Sequence, residues 1–175
     1  MLDLKSMIVD VPDFPKPGVI FKDITPIVQD AAAFNQVIDQ LAEIARKYSP
    51  SRVAAIESRG FIFGAALARE LRLGFTIIRK KGKLPRKTLS ILAPNEYAVE
   101  CFEAHLDSVK PGEKVIIIDD LIATGSSGIS AIELVQKLGG RVVAFAAVVE
   151  LTFLDGVKRL NEAHPQVPVF SLIKF

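Results

Sequence analysis

Two adjacent acids follow a run of apolar residues in the segment VIIIDDLIATGSSG, residues 115–128. Asp119 and Asp120 stand at the end of what reads as a buried strand. Two carboxylates placed there repel each other and lose hydration unless a polar or cationic group meets them. A sugar diol held next to a bound phosphate would be such a group. The pair therefore predicts a polar site at the end of this strand.

The loop after the acids has the features of a phosphate cradle. A helix predicted to begin near Ser126 or Ser127 would present unpaired backbone N–H groups, and its dipole favours an anion. Thr124 adds a hydroxyl donor, and Gly125 lets the backbone approach closely. The loop is neither a Walker A loop, which needs Gly-Lys-Ser/Thr, nor a dinucleotide fingerprint, which needs three glycines. Taken alone, ATGSSG fits an ordinary strand-to-helix turn with a serine cap equally well.

Two further polar segments have an ordinary and a functional interpretation. ESRGF (57–61) in isolation fits a polar turn between a strand and a helix. RKKGKLPRK (79–87) carries six basic residues and fits a solvated charged loop. A nucleic-acid patch is a third possibility, but the segment has no interleaved aromatic residues to stack bases.

The histidines and the cysteine give weaker signals. His105 and His164 have no partners at metal-ligand spacing, so we expect both at the surface. Cys101 precedes Phe102 on a predicted strand, and we expect it to pack rather than to act as a nucleophile.

Apolar runs and helical stripes alternate along the chain. Strands are predicted at 52–57, 75–79, 114–119 and 141–150 and in VPVFSLI near the C-terminus. Helical stripes are formed by Phe34, Val37, Ile38, Leu41 and Ala45 after the N-cap candidate Asp30, by Phe63, Leu67 and Leu71, and by Ile129, Ile132, Val135 and Leu138 before Gly139 and Gly140.

This alternation indicates an α/β fold with a central, mostly parallel sheet flanked by helices. Residues 80–97 show no clear period and are predicted to form a long surface loop. Ligands bind such sheets at the carboxyl ends of strands, which directs attention to Glu57, Arg79, Asp119 and Glu150.

Composition narrows the class of protein. The 175 residues are half hydrophobic and carry a net charge of +2, so no general attraction to nucleic acid or to anionic membranes follows. One cysteine excludes an internal disulfide and fits a reducing compartment. The N-terminus lacks the apolar stretch of a signal peptide, and no apolar run is long enough to span a bilayer. We expect a single-domain cytoplasmic protein covering residues 1–175.

The segment VIIIDDLIATGSS resembles the signature of the type I phosphoribosyltransferases, which bind 5-phosphoribosyl 1-diphosphate. The segments FPKPGVIFKDITP, IESRGFIFG, IRKKGKLP and FSLI, in this order, are similar to the members of that family that use adenine. The resemblance covers nearly the whole chain. It implies a type I phosphoribosyltransferase fold with a small N-terminal hood over roughly residues 1–30 and a mobile catalytic loop over roughly residues 80–100.

The resemblance also implies an activity and its partners. Phosphoribose would move from 5-phosphoribosyl 1-diphosphate to N9 of adenine, giving AMP and diphosphate in purine salvage. Mg²⁺ would be the cofactor, held through the substrate without direct protein ligands. The expected assembly is a homodimer without nucleic-acid or membrane partners.

The implied phosphoribosyl site has three parts. Asp119 and Asp120 would meet the ribose hydroxyls and stabilise an oxocarbenium-like transition state. The 5-phosphate would be held by Ala123, Thr124, Gly125, Ser126 and Ser127. The diphosphate would be bound by Ser58, Arg59 and Gly60, with Arg59 also catalytic and a cis peptide between Glu57 and Ser58.

By the same resemblance, Arg79 and Lys83 contact diphosphate, and the arginine reaches the neighbouring subunit's site. Glu96 would handle a proton on the adenine ring, and Tyr97 would close the loop over the substrates.

The adenine base would be recognised by the hood and by one residue after a strand. Ile20, Phe21 and Lys22 match the hood segment whose backbone groups read the amino edge of adenine. Leu151 matches a residue that packs on the base. Phe21 could equally belong to the core.

The sequence departs from the family pattern at several positions. Ala98 replaces a glycine after the Glu-Tyr pair, and Pro94 stands in an unusually apolar segment. Ser126 and Ser127 replace a Gly-Thr pair, and Lys22 stands where arginine is commoner, so a planar guanidinium is lost.

Two other functions stay open at this point. A transferase for 6-oxopurines is opposed by the hood motif, whose backbone pattern suits a 6-amino group. A nucleotide-sensing regulator that lost turnover would need an added DNA-binding domain, for which this chain has no room.

Overall fold

The structure is a computed structural model and describes residues 1–92 and 101–175. The strands of this part are β1 (Val9–Pro12), β2 (Ile20–Asp23), β3 (Arg52–Ile56), β4 (Gly74–Lys80), β5 (Thr88–Leu92), β6 (Cys101–His105), β7 (Lys114–Ile122), β8 (Arg141–Glu150) and β9 (Val169–Lys174). The α-helices are α1 (Thr25–Gln29), α2 (Ala31–Tyr48), α3 (Gly60–Leu71), α4 (Ser126–Lys137) and α5 (Gly156–Ala163).

Seven strands form the central sheet in the order β5-β6-β4-β3-β7-β8-β9. The five strands β4, β3, β7, β8 and β9 run parallel, whereas β6 pairs antiparallel with β4 and with β5. The predicted fold class, a mostly parallel sheet flanked by helices, is confirmed.

The strand order changes direction between β3 and β7. From β3 the chain passes to β4 on one side of it and returns through β7 on the other. The register pairs Ala55 of β3 with Ile118 of β7. Glu57, two residues after Ala55, and Asp119, directly after Ile118, therefore lie at the crevice where open α/β sheets bind ligands.

Both faces of the sheet are buried. Val53 and Ile116 pack into the core on the side of α2 and α3, and their neighbours Ala54 and Ile117 pack into the core on the side of α4 and α5. Successive side chains of a strand point to opposite faces, so an unbroken apolar run is what a doubly covered strand requires.

The predicted start of the helix after the acids, and its predicted end before the Gly139-Gly140 pair, are confirmed. The α4 helix begins at Ser126 and ends at Lys137, and Gly139, two residues later, turns the chain with φ +94°. Asp30 caps α2 as predicted, because its carboxylate accepts a hydrogen bond from the Ala33 N–H at 2.8 Å.

Three predictions need correction. Residues 88–92, predicted to lie in a surface loop, form the edge strand β5. The apolar-polar alternation of this segment is weak, and pairing with β6 stabilises the strand. The strand predicted at 114–119 continues to Ile122, so both acids lie within β7. His164, expected at the surface, is only 7% exposed. It sits where α5 turns towards β9, and the Val167 N–H donates to its carbonyl oxygen.

The N-terminal segment forms a separate two-stranded antiparallel sheet from β1 and β2. Phe14, in the connection between these strands, packs edge to face on Phe21 of β2, with ring centroids 5.1 Å apart. Within the two described ranges, no helix combines the length and apolarity needed to cross a membrane.

Candidate active site

The two acids of β7 are buried side by side. Asp119 and Asp120 are each 7% exposed, and the Asp120 N–H donates to Asp119 Oδ1 at 2.9 Å. Burial, followed by repulsion from the Asp120 carboxylate, raises the pKa of Asp119 well above its ordinary value. The surroundings of Asp119 therefore do not fully stabilise its charged form. A ligand with a positive charge or with hydroxyl donors would do so.

A small cavity of about 70 Å³ opens next to the acids. It is lined by Asp119 and by the loop residues Ala123, Thr124, Gly125, Ser126 and Ser127. Gly125 precedes α4 with φ +84°, and no side chain caps the helix. The first-turn amides of α4 have no acceptors within the helix. The hydroxyl oxygens of Thr124 and Ser126, two residues that line the cavity, lie 3.1 Å apart. This end of the cavity therefore offers hydrogen-bond donors suited to an anion.

Close backbone packing shapes this loop. A Cβ on Gly125 would lie 2.6 Å from the Gly156 carbonyl oxygen, and a Cβ on Gly156 would clash with the Ala123 carbonyl oxygen. Glycine is required at both positions, because any side chain would push the start of α5 away from the loop.

The loop after β3 faces the acids. The peptide between Glu57 and Ser58 is cis, as predicted. A Cβ on Gly60 would lie 3.0 Å from Asp119 Oδ1, so this glycine lets α3 start against β7. Arg59 Nε lies 2.8 Å from Asp120 Oδ2 in an ion pair. Although that contact is close, Oδ2 accepts no well-aligned hydrogen bond from the described residues and is buried.

Two of the predicted diphosphate contacts converge on one carboxylate. Glu57 accepts hydrogen bonds from Arg79 Nε at 3.1 Å, from Lys83 Nζ at 2.5 Å and from the Lys80 N–H at 2.7 Å. Burial opposes ionisation of Glu57, but the Lys83 ammonium, the Lys80 amide and the Arg79 guanidinium outweigh it and lower its pKa. The cations are thereby gathered beside the Ser58–Gly60 loop.

Comparison with known proteins agrees with this geometry. The phosphoribosyl transferase domain family matches residues 25–174. Adenine phosphoribosyltransferase of Carboxydothermus hydrogenoformans is 48% identical over 174 residues, which are 99% of this chain and 100% of that protein. The chain belongs to the adenine phosphoribosyltransferase family.

Solved structures give the same result for members of this family. The crystal structure of adenine phosphoribosyltransferase from Thermoanaerobacter pseudethanolicus matches with a TM-score of 0.93 and 47% identity, covering 99% of this chain and 98% of that one. The Saccharomyces cerevisiae enzyme, complexed with an imino-altritol bisphosphate and adenine, matches with a TM-score of 0.88 and 37% identity, covering 97% and 96% of the two chains.

The hood expected for the adenine phosphoribosyltransferase family approaches the site through Phe21. The Arg59 guanidinium lies 4.8 Å from the centre of the Phe21 ring, so the N-terminal sheet contacts the Ser58–Gly60 loop. Ile20 is 58% exposed and free to meet a ligand. Lys22 instead pairs with Asp10 at 2.6 Å and covers the Phe175 ring.

Leu151, which is predicted to pack on the base, directly follows β8, and β8 ends in a polar residue. The Leu151 N–H donates to the Ile122 carbonyl oxygen at 2.9 Å, which ties this residue to the end of β7. Glu150 before it is 7% exposed and accepts a hydrogen bond from the Ser171 hydroxyl.

One polar residue near the site was missed by the sequence analysis. Glu103 lies in β6 at 4% exposure and accepts hydrogen bonds from the Gly82, Lys83 and Leu84 amides. The signal was a lone acid in the apolar run CFEA, since a buried carboxylate requires partners. Glu96, Tyr97, Pro94 and Ala98 lie outside the described residues.

Proposed function

We propose that this chain transfers 5-phosphoribose from 5-phosphoribosyl 1-diphosphate to N9 of adenine, giving AMP and diphosphate. The observation that carries the proposal is the arrangement at the strand-order switch. Asp119 and Asp120, the cavity at 123–127 and the Ser58–Gly60 loop all meet at the carboxyl ends of β7 and β3.

The sugar would lie beside the acids, with its 5-phosphate in the cavity that precedes α4. The amides of Ser126 and Ser127, together with the Thr124 hydroxyl, are suited to hold the phosphate. Once the phosphate is anchored, the ribose hydroxyls come within reach of the two carboxylates.

The acids would stabilise the charge that develops on the sugar. As the bond to diphosphate lengthens, positive charge grows on the ribose, and carboxylates already fixed nearby lower the energy of that state. Burial and the Asp120 carboxylate raise the pKa of Asp119, and positive charge developing beside it would favour its ionised form.

Cations would meet the departing diphosphate. Arg59 is held by its ion pair with Asp120, and Arg79 and Lys83 are held by their ion pairs with Glu57. Negative charge on the leaving group would therefore be met by side chains positioned before the reaction.

The adenine base would be held between the hood and the end of β8. Ile20, Phe21 and Lys22 would present backbone groups to its amino edge, and Leu151 would pack on its ring. Glu96 is the proposed proton carrier for adenine, and Tyr97 the proposed lid residue.

The site fits Mg²⁺ carried by the substrate. Asp120 Oδ2 is buried and accepts no well-aligned hydrogen bond from the described residues, so this carboxylate could take a cation brought by the substrate. We propose Mg²⁺ as cofactor, held by diphosphate and ribose oxygens near these acids, where it would neutralise leaving-group charge.

We also propose a homodimer in the cytoplasm. Large apolar side chains are exposed at Leu92 (66%) and Leu106 (49%), which suits burial against a second copy. The lone Cys101 fits a reducing compartment. Light scattering of the purified protein tests the dimer.

The activity is tested by incubating the protein with 5-phosphoribosyl 1-diphosphate, Mg²⁺ and either adenine, hypoxanthine or guanine, and separating the nucleotides formed. We expect AMP from adenine and at least ~10²-fold less product from the 6-oxopurines, because unpaired polar groups oppose the wrong base. Product from hypoxanthine or guanine at the adenine rate would favour the 6-oxopurine transferase. Absence of any product, with substrate still bound, would favour the sensing regulator.

A further inference from the structure

The Glu103 carboxylate accepts hydrogen bonds from the backbone of a tight turn at Gly82–Leu84. Its Oε1 accepts hydrogen bonds from the N–H groups of Gly82 at 3.0 Å, Lys83 at 3.2 Å and Leu84 at 3.2 Å. Its Oε2 accepts one from the Thr88 hydroxyl at 3.2 Å. Three consecutive amides directed at one oxygen form a concave anion site, which here is filled by the protein's own carboxylate.

Lys83 is held at three separate points. Glu103 accepts from its N–H, Arg79 Nη1 donates to its carbonyl oxygen at 3.3 Å, and its Nζ donates to Glu57. Arg79 and Glu103 are also direct partners across the β4–β6 pairing, so both side chains emerge on the same face of the sheet. The turn therefore has a defined place relative to Glu57, the residue that precedes the Ser58–Gly60 loop.

We propose that Glu103 is a positioning residue for diphosphate recognition, acting through the Gly82–Leu84 turn to present the Lys83 ammonium to the leaving group. The role rests on the proposed function in one respect, the assignment of Lys83 to diphosphate. Glu103 is almost fully buried behind the turn, so it contributes by fixing the backbone and does not touch substrate.

Without Glu103 the three amides would lose their shared acceptor. The turn would then sample other conformations, and Lys83 would have to be ordered again on each binding event. Diphosphate binding should weaken, whereas steps that depend on adenine should be almost unchanged.

The test measures inorganic diphosphate binding by titration calorimetry in the presence of Mg²⁺ for wild type, Glu103→Ala, Glu103→Gln, Lys83→Ala and the Glu103→Ala/Lys83→Ala double variant. We expect roughly tenfold weaker binding for Glu103→Ala. Glu103→Gln should bind nearly as wild type, since its amide oxygen can still accept from the turn. Thr88→Val, which removes only the Oε2 partner, is the matched control and should change binding less than about threefold.

The double variant tests whether Glu103 acts on diphosphate binding through Lys83. If Glu103 acts through Lys83, the Glu103→Ala change should have little further effect once Lys83 is alanine. Steady-state kinetics should show a raised KM for 5-phosphoribosyl 1-diphosphate with kcat and the adenine KM within about threefold of wild type. Additive effects, or a lowered melting temperature with unchanged diphosphate affinity in the folded protein, would overturn the proposal.

The outcomes separate this inference from the proposed function. Wild type that binds diphosphate with the expected coupling but forms no AMP would sink the proposed activity alone. AMP formation with Lys83→Ala binding diphosphate as tightly as wild type would sink the positioning role alone.

Discussion

Arg59 and Asp120 join the two loops of the candidate site through an ion pair of 2.8 Å between Nε and Oδ2. The arginine comes from the loop after β3 and the acid from β7. Their contact places the cation that we propose for diphosphate next to an anion that we propose for the sugar. In the proposed reaction, positive charge develops on the sugar and negative charge on the diphosphate. The carboxylate and the guanidinium of this ion pair would each stabilise the charge of opposite sign.

Replacing Asp120 with asparagine should lower turnover by at least ~10²-fold, because a carboxylate near the developing sugar cation is worth about 2–4 kcal/mol. Steady-state AMP formation measures it, and circular dichroism checks the fold. Asp39→Asn, an exposed change on α2, is the control and should leave the rate unaltered. An unchanged rate in Asp120→Asn would remove the acid from the reaction.

Replacing Asp119 with asparagine should stabilise the protein while lowering activity. The raised pKa means that ionised Asp119 costs folding free energy at neutral pH, and a neutral amide removes that cost. We expect a rise of roughly 2–4 °C in melting temperature at pH 7, measured by calorimetry.

The pH dependence of that gain has a definite sign. The cost is present in full above the folded pKa and disappears as pH falls towards the ordinary value of 3.8, so the gap between variant and wild type should close on acidification. A gap that widens at low pH would contradict this account.

Replacing Gly125 with alanine should destabilise the protein by at least ~2 kcal/mol, since a left-handed backbone and a close backbone contact act together. Its φ is +84° and the new Cβ would lie 2.6 Å from the Gly156 oxygen. Gly112→Ala is the control, with φ +76° and no atom within 4 Å. It should cost only about 1 kcal/mol, from φ alone. Urea unfolding compares the two, and equal losses would show that packing at Gly125 is unimportant.

Replacing Glu57 with glutamine should lower the free energy of unfolding at pH 7 by about 1 kcal/mol, because Arg79 and Lys83 lose a charged acceptor but stay partly in water. The lowered pKa of Glu57 makes its contribution complete above its ordinary value of 4.5. The contribution is lost as pH falls through the folded pKa. Urea unfolding at falling pH should therefore show the wild-type advantage vanish.

Glu70→Gln is the comparison for Glu57→Gln. It breaks the exposed Arg46–Glu70 pair and should change stability by less than about 0.5 kcal/mol. If both substitutions lower the free energy of unfolding equally at neutral pH, the ion pairs of Glu57 stabilise the protein no more than a surface pair does.

Replacing Glu96 with alanine should slow conversion of adenine more than it weakens 5-phosphoribosyl 1-diphosphate binding, because its proposed role is on the base. Single-turnover rates and substrate titration separate the two effects. The opposite pattern would move Glu96 to the diphosphate side.

The sequence by itself determined the features that are local in the chain. Apolar runs identified the strands β3, β4, β7, β8 and β9, and helical stripes identified the helices α2, α3 and α4, whereas α5 was not predicted. Asp119, Asp120 and the loop at 123–127 follow one another directly in the chain, so one strand-to-helix turn is enough to bring them together.

Tertiary structure alone decided how distant segments meet. The Arg59–Asp120 pair depends on β3 and β7 being neighbours, and the hold of Glu103 on Lys83 depends on the β4–β6 register. His164 became buried, and β5 formed, through packing against neighbours that no local spacing records. Periodicity fixes which face of an element is apolar, but strand order and register are set by the burial of all faces at once, and those contacts complete the site.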